Sequence, residues 1–161
     1  MVYCAPLLRT PVNCLPERHK SIKFPENYST TIMAARYILK IVTDFAAAHS
    51  LRDYPGDCRK LHGHNWKVEV EAIASELNEL GMAIDFKLLK QLTKKVTDEL
   101  DHRYLNEITP FDTINPTAEN LAAYIYCRLG EELHEPHVRI HAVTLWETER
   151  ACVRYTEETE A

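Results

Sequence analysis

Apolar and polar residues alternate strictly over residues 64–73 (HNWKVEVEAI). Trp66, Val68, Val70 and Ala72 fall on one face, and Asn65, Lys67, Glu69 and Glu71 on the other. Period two with one charged face predicts a half-buried antiparallel strand. Residues 37–48 (YILKIVTDFAAA) are β-branched and aromatic enough for a second strand, broken near Ala46–Ala48. Met82-Ala83-Ile84 reads as an extension of this first hairpin. Beyond it, Phe86, Leu89, Leu92, Val96 and Leu100 recur at steps of three and four, which predicts a helix capped by Asp85. A second helix starts at Asn115-Pro116-Thr117, where Asn or Thr can cap and proline is tolerated. Its inner stripe is Leu121, Tyr124, Ile125 and Leu129, with Gly130 near its end. Residues 138–147 and 151–156 read as two further strands joined at Thr148–Arg150. The order ββααββ predicts an α+β domain, one antiparallel sheet with two helices on one face.

Residues 1–32 break this regularity. They carry four of the eight prolines and two cysteines without an apolar period. The expectation is an N-terminal arm, poorly ordered or upstream of a true start at Met33, followed by one domain over residues 33–161. The 161-residue length suits one domain with its own core. No apolar run reaches the roughly 18 residues that a membrane span needs, and Pro6, Arg9 and Pro11 interrupt any secretory leader. A net charge of -5 argues against a general nucleic-acid binder. Five scattered cysteines with no CxxC pair suit a reducing compartment, so the expected location is cytoplasmic.

The chemistry-bearing residues gather at the strand ends. His62 and His64 are two apart and share parity with Trp66 and Val68, so in extended chain both rings point to the core face. Gly63 between them leaves room for close backbone approach. If the first two strands form a hairpin, His49 comes alongside, and three imidazoles with an open fourth position make a catalytic zinc arrangement. Cys58, four residues before His62, has two readings. It closes the site as a fourth ligand, or it is a reactive thiolate beside an open metal, favoured by Arg59 and Lys60. The loop 51–60, with Pro55-Gly56, suits a residue that meets substrate. His134, His137 and His141 read as surface or edge residues, His19 as part of the arm, and Trp66 as core.

With these residues in view, the chain resembles the family of 6-pyruvoyl-tetrahydropterin and 6-carboxy-tetrahydropterin synthases. The motif C-x3-H-G-H-N-W at 58–66 is preceded by F-x-A-A-H at 45–49. It is followed in order by G-M-A-I-D-F at 81–86, L-D-H-x-Y-L-N at 100–106, N-P-T-A-E-N at 115–120 and W-E-T at 146–148. The resemblance implies a tunnelling fold of ββααββ subunits, three sheets joined into a barrel and two barrels stacked as a homohexamer, with active sites between subunits. It implies Zn2+ on His49, His62 and His64, a reactive thiol at Cys58 and a proton relay of Asp101 with His102. It implies a pterin anchor at Glu147, with Thr117 and Glu119 lining the same pocket. A carboxylate suits that anchor, because a pterin offers a ring N–H and an exocyclic amine side by side. Asp101 and His102 are sequence neighbours, so a direct hydrogen bond between their side chains is an expectation rather than a consequence of spacing.

The cysteine four before the histidine pair resembles the carboxy synthases of queuosine and deazapurine biosynthesis. The implied reaction converts 7,8-dihydroneopterin triphosphate to 6-carboxy-5,6,7,8-tetrahydropterin, acetaldehyde and triphosphate. Triphosphate elimination alone, as in the pyruvoyl synthases, is the alternative within enzymes. A non-catalytic domain whose zinc is closed by Cys58 and three histidines is the alternative outside them. Arg59, Lys60 and Arg103 are candidates for the triphosphate. No membrane or nucleic-acid partner is implied.

Overall fold

The computed structural model describes residues 36–157; the expected arm over residues 1–32 lies outside them. The order is β1 (Tyr37–His49), β2 (His62–Ala74), α1 (Phe86–Asp98), β3 (Arg103–Tyr104), α2 (Ala118–Glu132), β4 (Val138–Thr148) and β5 (Ala151–Tyr155). Single 3-10 turns occupy Asp57–Arg59 and Leu105–Glu107. The five strands form one sheet in the order β3-β1-β2-β4-β5. All pairings are antiparallel except that of β1 with the two-residue β3. The expected α+β fold stands, with β3 added.

The alternation of β2 sets the layers. Trp66, Val68, Val70 and Ala72 are wholly buried and pack with Leu89 and Val96 of α1 and Leu121, Ile125 and Leu129 of α2. The opposite face carries a cross-strand ladder of charge: Lys40 pairs with Glu69 and Glu71, Lys67 with Glu69, and Arg154 with Glu71. Both helices start where expected. Asp85 accepts a hydrogen bond from Lys87 N at 2.7 Å and Thr117 one from Asn120 N at 3.3 Å. Phe86 is not part of the inner stripe. It sits at the first helical position and is 49% exposed, while Thr93 and Thr97 complete the buried face.

Two expectations are corrected at the sheet's edges. β1 does not break at Ala46–Ala48 but runs on to His49. Alanine is a weak strand former, yet here both edges of the backbone are engaged. β2 pairs on one side, β3 pairs with Ala47 and Ala48 on the other, and Ala46 N donates to Asp101 Oδ1 at 2.8 Å. Met82-Ala83-Ile84 does not extend the hairpin. Asn78 folds this segment into a turn, its Oδ1 accepting from Leu80 N and Met82 N and its own N–H donating to Met82 O. In the last hairpin Thr148 is still strand, and the register slips between Trp146 and Thr148, leaving Glu147 in a bulge. Among the described residues no helix is long and apolar enough to cross a membrane.

Candidate metal centre and active site

The β1–β2 register pairs Ala47 with His64 and His49 with His62. Paired residues share a face of the sheet, as do residues two apart. The three imidazoles therefore stand together on the helix-covered face. Their ring centroids are 4.4 Å (His49–His62), 5.2 Å (His49–His64) and 5.0 Å (His62–His64) apart. Trp66 meets His49 and His64 edge-on at 5.2 Å each and backs the group with an apolar wall. The close approach expected at Gly63 is absent, since a Cβ there would stand in ordinary contact, 3.5 Å from Ala47 O.

Backbone carbonyls fix two of the rings. His49 Nδ1–H donates to Pro116 O at 2.7 Å, and His62 Nδ1–H donates to Lys60 O at 2.8 Å. A carbonyl can only accept, so in the neutral ring each Nδ1 carries the proton and each Nε2 presents a lone pair. His49 Nε2 and His64 Nε2 are buried and have no hydrogen-bond partner. Burial, the largest influence, holds both imidazoles below their ordinary pKa, which keeps them neutral. One donor atom from each of His49, His62, His64 and Glu147 lies within 4.8 Å of all the others. Neutral imidazoles oriented by carbonyls and left unpaired at Nε2 suit a divalent cation. The donor set of three nitrogens and one carboxylate is compatible with zinc.

Cys58 is not in this group. It lies in the 3-10 turn of the β1–β2 connection, half-buried, with its carbonyl accepting from Leu51 N at 2.8 Å. The donor beside the imidazoles is the carboxylate of Glu147 rather than the thiol. The thiol is thus left outside the donor group, in the turn that precedes His62.

Asp101 and His102 follow α1 and clip the edge of β1. Asp101 Oδ1 accepts from Ala46 N, and His102 N donates to Ala46 O at 2.6 Å. The expected side-chain contact is present, with His102 Nδ1 2.9 Å from Asp101 Oδ1. His102 adopts a left-handed φ of 56°, a conformation uncommon outside glycine. The Ala46 N–H, followed by His102, holds the Asp101 carboxyl below its usual range. His102 is exposed, and with His64 and Arg103 it lines one open cleft of ≈ 560 Å³. Thr117 caps α2, and Glu119 is exposed in its first turn. Of the triphosphate candidates, Arg103 lies on the cleft, Arg59 is exposed and Lys60 pairs with Asp57 at 2.9 Å.

Three residues lace the site together in roles that sequence reasoning did not give them; Asn115, one of the two candidate caps of α2, leaves the capping to Thr117. The Asn106 amide brackets Ser50, accepting from its N–H at 2.9 Å and donating to its carbonyl at 2.8 Å. Asn115 does the same for Arg52, at 2.8 and 3.0 Å. Arg52 in turn donates from its guanidinium to the carbonyls of Asn106, Phe111 and Ile114. The segment 105–116 is thereby stitched to the residues that follow His49, and Pro116 is brought to the His49 ring. Both asparagines belong to motifs noted above, but their partners lie more than fifty residues away, so no local pattern exposes the role.

Residues 37–158 match the 6-pyruvoyl tetrahydropterin synthase family. A relative from Synechocystis sp., a 6-carboxy-5,6,7,8-tetrahydropterin synthase, is 39% identical over 116 residues, 69% of this chain and 86% of its own. A dihydroneopterin monophosphate aldolase from Pyrococcus furiosus is 36% identical over 115 residues, 71% of this chain and 91% of its own. Among solved structures, the 6-pyruvoyl tetrahydropterin synthase of Caenorhabditis elegans superposes with a TM-score of 0.70 at 28% identity, covering 77% of this chain and 97% of that one. The match spans every strand and both helices described above, and the chain belongs to the 6-pyruvoyl tetrahydropterin synthase family.

Proposed function

We propose that the protein is a zinc-dependent lyase that converts 7,8-dihydroneopterin triphosphate and one water to 6-carboxy-5,6,7,8-tetrahydropterin, acetaldehyde and triphosphate. The observation that carries this reading is the convergence of His49, His62 and His64, with the Nε2 atoms of His49 and His64 buried and unpaired, while the Cys58 thiol stays outside the donor group. A thiol left free beside a metal centre can handle protons, and one spent as a ligand cannot. The relative from Synechocystis supports the carboxy product, as does the cysteine four residues before His62.

A divalent ion held by the three imidazoles would supply Lewis acidity to the two adjacent hydroxyls of the substrate side chain. The chain's own groups do the rest. Cys58 takes or returns a proton on one side of the side chain. His102, kept in place by Asp101, exchanges protons on the other. Such groups contribute roughly 10²–10⁴-fold each. Glu147 faces the same space and is the carboxylate available to the pterin's N–H and amine, while Thr117 and Glu119 stand at the start of α2 near the Pro116 carbonyl that holds His49. Arg103 on the His64–His102 cleft is the basic group best placed for the triphosphate.

The proposal includes a cytoplasmic homohexamer acting in queuosine-type biosynthesis. Self-association is supported by the edge of β1: among the described residues β3 covers it only at Ala47 and Ala48, and Tyr37 to Phe45 have no strand partner on that side, beside exposed Ile38 and Val42. The Pyrococcus furiosus relative makes retro-aldol cleavage of a pterin side chain the second reading, and triphosphate elimination alone is the third. Incubating the purified chain with 7,8-dihydroneopterin triphosphate separates them. Release of both acetaldehyde and triphosphate supports the carboxy reading. Triphosphate without acetaldehyde, or aldol products with triphosphate retained, overturns it.

A further inference from the structure

We propose that the end of the sheet remote from the metal centre is a binding site for a phosphate-type oxyanion. The site is independent of the reaction proposed above. Its residues come from three neighbouring strand ends. Ile38 pairs with Ile73, and Ile73 with Arg139, so the three share one face of the sheet. Arg36 lies two residues before Ile38 and Ser75 two after Ile73. Strand parity carried one step past the ladder puts both on that same face. Arg36, Ser75 and Arg139, together with His137, line one cavity of ≈ 380 Å³.

The charge of this cavity is unbalanced, unlike that of the rest of the face. Lys40, Lys67 and Arg154 are each paired with Glu69 or Glu71. Among the described residues Arg36 and Arg139 have no ion-pair partner, and the cavity lining holds no carboxylate. Glu76 Oε2 lies 3.8 Å from His137 Nε2, but Glu76 lines the neighbouring cavity. Two uncompensated guanidiniums on one small cavity stand out in a chain of net charge -5. An anion between them replaces their mutual repulsion with attraction.

The donor set selects the class of anion. A guanidinium presents paired N–H groups that match two oxygens of a phosphate, and the Ser75 hydroxyl adds another donor. His137 holds a left-handed φ of 63°, uncommon for a residue with a Cβ. Strained backbone of this kind gathers at ligand sites.

Within one chain this cavity is not the triphosphate end of the active site. His62 and Ala74 are the two ends of β2, and its rise of roughly 3.3 Å per residue sets them about 40 Å apart. The occupant is therefore a second molecule, either a free polyphosphate or a phosphomonoester. Bound there, it ties the ends of β1, β2 and β4 together and stabilises the folded chain by linkage.

The test titrates the zinc-loaded full chain with inorganic phosphate, methyl phosphate and pyrophosphate at fixed ionic strength, read by calorimetry and amide hydrogen exchange. Binding should saturate and protect residues 36–39, 73–76 and 137–140 from exchange. Arg36→Ala and Arg139→Ala, both at exposed positions, should each weaken it by about 10-fold, the scale of one charge-assisted contact. Arg139→Lys, which keeps the charge without the paired N–H groups, should fall between. Lys87→Ala, which removes an exposed charge on α1, should bind as wild type. Tighter binding of pyrophosphate assigns the site to a polyphosphate. Methyl phosphate equal to phosphate, with no gain from pyrophosphate, assigns it to a phosphomonoester. Binding that leaves the three segments unprotected, that survives loss of both arginines, or that Lys87→Ala weakens as much would overturn the proposal, as would no saturable binding at all.

Discussion

Asn115 offers the sharpest perturbation, because its amide makes two hydrogen bonds to one backbone unit. Its Oδ1 accepts from Arg52 N at 2.8 Å and its Nδ2 donates to Arg52 O at 3.0 Å, both partly buried. Asn115→Ala removes both bonds and leaves two backbone groups short of partners. At about 1 kcal/mol per bond, the expected loss is about 2 kcal/mol. For a domain of this size that corresponds to a fall of about 8 °C in Tm. The same change loosens Pro116, whose carbonyl fixes the His49 ring at 2.7 Å. Losing such an outer partner lowers metal affinity by roughly 10–100-fold, and the lower end is expected here. Asn115→Asp separates the bonds from simple volume. It keeps the acceptor but turns an oxygen toward Arg52 O, so it should be no better than alanine. Urea unfolding of the metal-free chain and metal competition with a chelator read the two effects. An Asn115→Ala chain with unchanged midpoint and metal affinity, or an Asp variant that behaves as wild type, would refute the reasoning.

Three further outcomes are expected. Cys58→Ala should keep metal content and fold, because the thiol lies outside the donor group, while turnover falls by roughly 10²–10⁴-fold; a variant that loses its metal and melts would restore Cys58 as a ligand. Burial lowers the His49 and His64 pKa values in the folded state, so the unfolded chain binds more protons as pH drops through the ordinary imidazole range near about 6.5. Stability of the metal-free protein is therefore full above that range and is lost as pH falls toward the lowered native values; denaturant midpoints flat between pH 7 and 5 would contradict this. Asp101→Asn keeps an acceptor for Ala46 N but loses its charge beside His102, so the fold should persist while the pH profile of turnover shifts, and an unshifted profile would remove Asp101 from the proton path.

Much of the fold was legible because its signals are local. The alternation of Trp66 to Ala72 is complete within one strand, and Asp85 and Thr117 cap helices through partners two and three residues away. The imidazole group was legible too, since parity joins His62 to His64 and a hairpin brings His49 across. The sequence misled where tertiary partners overrule local preference. Ala46–Ala48 look like a strand break, but two neighbouring strands and Asp101 hold them extended. β3 is too short to carry a pattern. Asn106, Asn115 and Arg52 act across 54 to 63 positions. The approach of Glu147 to the imidazoles depends on a bulge that no alternation marks.

The account stands on three imidazole nitrogens gripping one ion without the nearby sulfur. X-ray absorption at the zinc edge of the loaded full chain tests this directly. The expected shell holds only nitrogen and oxygen at roughly 2.0–2.2 Å, with the outer-shell signature of imidazole rings. A scatterer at about 2.3 Å, the zinc–thiolate distance, would contradict it, and so would a chain that takes up no zinc at all.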